Sequence, residues 1–115
     1  MNISFEGIGQ WAATFACSGE VAEGQAVKVS GNGEVSACAD GDAFCGKAVV
    51  VGSDGAACAV VLGGMVTMSY TGSAPALGWS GISADGSGGV KADESGNKYL
   101  VVDVDTAGMM VTFAL

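Results

Sequence analysis

The sequence predicts an all-β fold: a compact β-sandwich or small β-barrel of about ten short strands, with an internal two-fold repeat. Three observations carry this. Twenty glycines punctuate the 115 residues. The longest stretch free of glycine, Asn97 to Ala107, has eleven residues, about the length of an average helix. It also carries the β-branched residues Val101, Val102 and Val104, so helices are nearly excluded. Second, apolar residues recur with a period of two, as strands require. Third, one turn occurs twice, as Gly31-Asn32-Gly33-Glu34-Val35 and as Asp85-Gly86-Ser87-Gly88-Gly89-Val90. An offset of 55 aligns Val35 with Val90, Ala37 with Ala92, Gly41 with Gly96, Phe44 with Tyr99 and Val49 with Val104. The related units run from Gly24 to Leu62 and from Gly78 to Leu115. A two-residue gap near their second turns, Ser53-Asp54-Gly55 and Asp105-Thr106-Ala107-Gly108, brings their last strands into line.

The elements follow in order. Met1 to Gln10 is poorly periodic and reads as an arm, weakly ordered in the monomer. Trp11, Ala13, Phe15 and Cys17 share one face of a first strand. Val27 and Val29 face Val35 and Ala37 across a turn rich in Asn and Gly, which tolerate the positive φ of tight hairpins. Gly33 and Gly89, each just ahead of a return strand, are candidates for that conformation. Ala43 to Val51 reads as a longer strand, bulged at Gly46. Ala56 to Leu62 puts Cys58, Val60 and Leu62 on one face. Val66, Met68 and Tyr70 follow Gly63-Gly64. Tyr70 to Trp79 reads as an exposed loop closed at both ends by aromatic residues and containing the only proline, Pro75. Gly78–Ala84 and Val90–Ala92 form the second hairpin. Lys98–Val104 and Met109–Leu115 complete a single domain spanning residues 1–115.

A chain of this length can bury a core, and half its residues are hydrophobic, which excludes disorder. No apolar run approaches the roughly 18 residues of a membrane-crossing helix. The start, Met1 to Gly7, lacks a signal-peptide pattern, so a cytoplasmic origin is the default. The net charge is −8, with four lysines, no arginine and no histidine. Nucleic-acid binding needs clustered cations against phosphates, whereas Lys28, Lys47, Lys91 and Lys98 are scattered. Anionic membrane surfaces are disfavoured for the same reason.

The search for chemistry returns no catalytic, cofactor-binding or metal-binding residue. Without histidine, histidine-based triads and metal sites are impossible. Asp40/Asp42, Asp93/Glu94 and Asp103/Asp105 are paired carboxylates, but a solvated edge beside a turn explains them. Gly86-Ser87-Gly88-Gly89 lacks the helix and lysine of a phosphate loop. Asp85–Gly89 and Asp93–Asn97 are oxygen-rich, yet neither fits a calcium loop of EF-hand type. Cys17, Cys38, Cys45 and Cys58 form no C-x-x-C pair and read as free thiols used as small core hydrophobes. Trp11 and Trp79 are expected in the core or a subunit interface. Met65, Met68, Met109 and Met110 are expected as adaptable packing at a contact.

The stretches EGQAVKVSGNGEVSACADGDAFCGKAVVV (Glu23 to Val51), YTGSAPALGW (Tyr70 to Trp79), ADGSGGVK (Ala84 to Lys91) and YLVVDVD (Tyr99 to Asp105) resemble small head proteins from prophages of Gram-positive gut bacteria. These are similar to the capsid decoration, or cement, proteins of tailed phages. The likeness covers roughly residues 20–115 and rests on glycine, valine and turn positions. It implies an all-β structural protein without enzyme activity or cofactor. It also implies attachment to the major capsid protein on the outside of the shell as a homo-oligomer, often a trimer. No individual residue role transfers. The residues also leave open a small β-sandwich binding or carrier module for a ligand or protein partner.

Overall fold

The computed structural model describes residues 9–53 and 55–115. Ten strands follow one another, with no helix among the described residues. They are β1 (Trp11–Cys17), β2 (Ala26–Gly31), β3 (Glu34–Ala37), β4 (Gly46–Val51), β5 (Ala57–Gly63), β6 (Met65–Thr71), β7 (Gly78–Ala84), β8 (Val90–Ala92), β9 (Asn97–Asp105) and β10 (Met110–Ala114). Of the architectures left open by the sequence, the chain adopts the barrel, twice. β1-β3-β2-β4-β5 closes one barrel and β6-β8-β7-β9-β10 the other.

The two barrels have the same wiring. Each closes through a short parallel pairing, β1 with β3 and β6 with β8, in which Cys17 meets Val35 and Tyr70 meets Val90. All other pairings are antiparallel. The hairpin registers match at the offset of 55: Val27 faces Ala37 and Val29 faces Val35, as Ile82 faces Ala92 and Ala84 faces Val90. The correspondence extends to β1 and β6, ahead of the stretches that the sequence repeat covers.

The alignment of the later strands needs correction. A register shift between Ala48 and Val50 leaves Val49 unpaired in β4, and one opposite Thr112/Phe113 leaves Val102 unpaired in β9. These bulges make Val49 the counterpart of Val102, not of Val104. The two-residue gap therefore precedes β4 and β9 instead of following them. The same shift corrects Gly46. It starts β4 and is not the bulge. Glycine is needed there because a Cβ would press on the Val61 carbonyl oxygen at 2.0 Å.

The two glycines expected at positive φ divide. Gly33 has φ +67° with open space around it. Gly89 does not need positive φ. It lies so near β6 that a Cβ would stand 2.4 Å from the Ser69 carbonyl oxygen, and Gly86 and Gly88 carry the positive φ of that turn. In the 72–77 loop Pro75 is buried, contrary to the exposed reading, while its neighbours are exposed.

Apolar residues on alternate faces of the first unit serve two cores. Val27, Val35, Ala48, Cys58 and Val60 fill the first barrel. Ala26, Phe44 and Val61 point away from it and join Val66, Met68, Ile82, Val101, Val111 and Phe113 in a larger cluster. This is why β5 is apolar on both faces where Val60 and Val61 lie, each buried in a different core, although Ala57 at its start, like Ala56 before it, is exposed. Phe44 stacks on Tyr99 at 5.2 Å between ring centroids and meets Phe113 edge-on at 6.0 Å. Phe44, ahead of β4, and Tyr99, inside β9, thus touch, but the corrected alignment no longer makes them counterparts. Backbone bonds also cross between the barrels, from Ala26 N to Gly88 O (2.8 Å), Gly41 N to Ala84 O (2.8 Å) and Ala84 N to Asp42 O (2.9 Å). Most of the expected N-terminal arm, residues 1–8, lies outside the described residues. At its end the Gln10 side chain donates to Met65 O at 2.6 Å.

Candidate functional site

The carboxylates are bonded to their own turns. Asp85 Oδ1 accepts from Ser87 N (2.7 Å) and Gly89 N (3.1 Å), and Oδ2 accepts from the Thr71 hydroxyl (3.1 Å). Asp93 Oδ1 accepts from Ser95 N and Oγ, and Oδ2 from the Ser83 hydroxyl at 2.8 Å. Asp105 accepts from Gly108 N at 3.1 Å. The bonds from Ser87, Gly89, Ser95 and Gly108 are local caps of the kind that favour Asp in turns, while those from Thr71 and Ser83 tie the turns to β6 and β7. They account for both oxygen-rich segments weighed as calcium loops. Among the described residues, no group of three or more His, Cys, Asp or Glu is placed to hold a metal. Asp103 and Asp105 both lie exposed along β9.

Asp40 and Asp42 join the barrels. Asp42 pairs with Lys28 at 2.6 Å and accepts from Ala39 N, while its backbone carbonyl holds Ala84. Asp40 pairs with Lys91 of β8 at 2.8 Å. The Lys28 ammonium and the Ala39 amide hold the Asp42 carboxyl below its ordinary value, and the same pair raises Lys28. Lys91 is raised by its bond to Asp40. Lys47 reaches across to Thr67 O at 2.8 Å.

Asp93 offers a pH test. Hydrogen bonds from Ser95 and Ser83 lower its pKa from the ordinary 3.8. A carboxyl lowered on folding contributes stability above its unfolded pKa and loses it as pH falls through the folded value. Thermal melts of the native protein should therefore drop as the pH falls below 3.8. Asp93→Asn should lower the melting temperature at neutral pH and flatten that acid limb. An acid limb unchanged by the substitution would remove Asp93 from this role.

Of the two places expected for the tryptophans, core or subunit interface, the core is excluded. Tyr70 is buried, but Trp79 is 73% exposed and Trp11 59%, so neither tryptophan lies in the core. Trp11 lies against Gly63, where a Cβ would meet its ring. Trp79 faces Leu100 across β7 and β9 and follows Leu77, itself 69% exposed. Together with Ala74, Ala76, Asp93, Glu94 and Lys98, Trp79 borders a depression of about 400 Å³. Alternation alone could not reveal this, because Trp11 and Trp79 both occupy strand positions that a core would also use. Of the methionines, Met68 is buried in the second core, Met65 and Met110 are half-buried, and Met109 is exposed at φ +52°.

A second cleft, about 340 Å³, lies where the barrels meet, lined by Glu23, Gln25, Lys47, Thr67, Ser87 and Met110. All four cysteines are free thiols, Cys58 buried and the others half-buried. Burial, reinforced by the Asp42 carboxylate, pushes the Cys38 thiol up to about 11. Among the described residues no helix is long and apolar enough to cross a membrane.

No protein-family model matches the chain. A search of curated proteins likewise returns no match.

Proposed function

We propose that the protein is a non-enzymatic structural protein of the virion, a capsid decoration protein that binds the outer surface of a phage or prophage shell. Its partner is the major capsid protein, and it assembles as a homo-oligomer, with a trimer favoured. It is made in the host cytoplasm and ends on the capsid surface. The resemblance of Glu23–Val51, Tyr70–Trp79, Ala84–Lys91 and Tyr99–Asp105 motivates the reading. The observation that carries it is the exposed apolar group of Leu77 and Trp79, with Trp79 set beside the Asp93 turn, whose carboxylate is already bonded within the fold. Exposed tryptophan and leucine on a rigid strand end suit a protein contact, since buried aromatic anchors dominate interface energetics.

The test is co-sedimentation with empty capsids of the cognate shell. The native protein should pellet with them, and Trp79→Ser, folded by circular dichroism, should bind at least about tenfold more weakly. Absence of binding by the native protein overturns the decoration reading. Equal binding by the variant moves the contact away from Trp79. A small molecule recovered from the inter-barrel cleft at Lys47 would instead favour the carrier alternative. Sedimentation of the free protein reports whether subunits associate before they meet the shell.

A further inference from the structure

The first barrel holds its thiols in one place. β1 and β5 pair with Phe15 opposite Cys58 and Ala16 opposite Ala57, and Cys17 N donates to Ala56 O at 3.0 Å. Cys17 thus lies one side-chain step from Phe15 on the same face and diagonal to Cys58 on the neighbouring strand. Cys58 packs in the first barrel's core with Cys17 and Cys45 against its margin, and the Cys17 sulfur is close enough to help raise the Cys58 thiol. The repeat does not demand this pair. At the equivalent positions the second barrel has Tyr70 and Val111, both buried. There an aromatic ring fills the seam beside the parallel closure, whereas two sulfurs occupy it in the first barrel.

We propose that Cys17 and Cys58 form a disulfide when the folded protein meets a low-molecular-weight disulfide of the glutathione class, stapling β1 to β5 beside the closure of the first barrel. Cys17 is half-buried and Cys58 buried, so Cys17 is the thiol the oxidant reaches. Its thiolate attacks one sulfur of the small disulfide. That S–S bond breaks, and the departing small thiolate takes a proton equivalent to the one lost by Cys17. Cys58 then gives up its proton, its sulfur attacks the Cys17 sulfur, and the second small thiolate leaves and is protonated. Two protein thiols are oxidised and one small disulfide is reduced to two thiols. Burial and the neighbouring Cys17 sulfur raise the Cys58 pKa, which keeps it from reacting first. In a reducing cytoplasm both stay thiols.

The lysines make the test unambiguous. Cleavage after Lys28, Lys47 and Lys91 puts Cys17 alone in 1–28, Cys38 and Cys45 together in 29–47, and Cys58 alone in 48–91. The intact folded protein is equilibrated with oxidised and reduced glutathione, alkylated, digested without reduction and analysed by mass spectrometry. The expected product is 1–28 linked to 48–91, with 29–47 alkylated twice. Closing a loop of roughly 40 residues should raise the melting temperature by on the order of 10 °C over the reduced protein. Cys17→Ser should abolish the link and the rise, and Cys38→Ser should retain both. A first disulfide within 29–47, a glutathione adduct persisting on Cys17 beside an alkylated Cys58, or linkage that lowers the melting temperature would each overturn the proposal.

Discussion

Phe113→Ala is expected to remove about 3–5 kcal/mol of stability, the usual cost of deleting a fully buried aromatic side chain. Phe113 is wholly buried in β10. Its ring meets Tyr99 at 5.2 Å and Phe44 at 6.0 Å. Phe44 comes from the first unit, ahead of β4, so the cavity would open where the two units share a core. Domains of this size have about 5–15 kcal/mol in total, so the loss is a large fraction of it. Urea unfolding followed by tryptophan fluorescence and by circular dichroism would measure it. Because the trio bridges both barrels, the two probes should shift together. A loss below about 1 kcal/mol would mean that the neighbours collapse into the space. Separated transitions would mean that the barrels unfold independently.

Gly46→Ala is expected to destabilise by more than about 2 kcal/mol although it adds one methyl group. The new Cβ would stand 2.0 Å from the Val61 carbonyl oxygen and 3.0 Å from Val60 Cγ1. The carbonyl belongs to backbone in β5, which is covered on both faces and cannot move aside cheaply. Overpacking of this kind costs about 1–3 kcal/mol and occasionally more. Gly33→Ala is the comparison. It meets no atom within 4 Å, and its cost is that of placing a Cβ at positive φ. Thermal melts of both variants decide the matter. A Gly46 variant no worse than the Gly33 variant would show that β4 can shift away from β5.

The strands were legible because their signals are local. Val27, Val29, Val35 and Ala37 alternate around an Asn-Gly turn, and their observed pairing is the one alternation implies. Val66, Met68 and Tyr70 alternate likewise, and all three are buried. What stayed hidden is decided by residues distant in sequence. Closure depends on two-residue parallel contacts, Cys17 with Val35 and Tyr70 with Val90, too short to leave a pattern. The bulges at Val49 and Val102 lie in the apolar runs Ala48 to Val51 and Tyr99 to Val102, where no glycine marks them. Gly46 did carry a signal, but of close backbone approach, which in sequence looks the same as a bulge. Alternation could not separate core from surface for the tryptophans, because exposure depends on what else packs nearby, not on side-chain type. The Cys17–Cys58 neighbourhood exists only once β1 lies against β5.

Closure of both sheets determines how this protein can meet anything else. An open sheet ends in a row of unpaired amides and carbonyls onto which another chain can add as a further strand. Here β1 is bonded along its length to β5 and at Ala16 and Cys17 to β3, and β6 along its length to β10 and at Tyr70 and Thr71 to β8, so the row is interrupted at the closing end of each sheet and survives only along the earlier residues of β1 and β6. Copies crowded side by side have only those short stretches as a template for a shared ribbon. Recognition is left to side chains and loops, whose identity can change without disturbing the ladders beneath. The closed ladders thus turn most of the outer surface over to side chains and leave little backbone to be read.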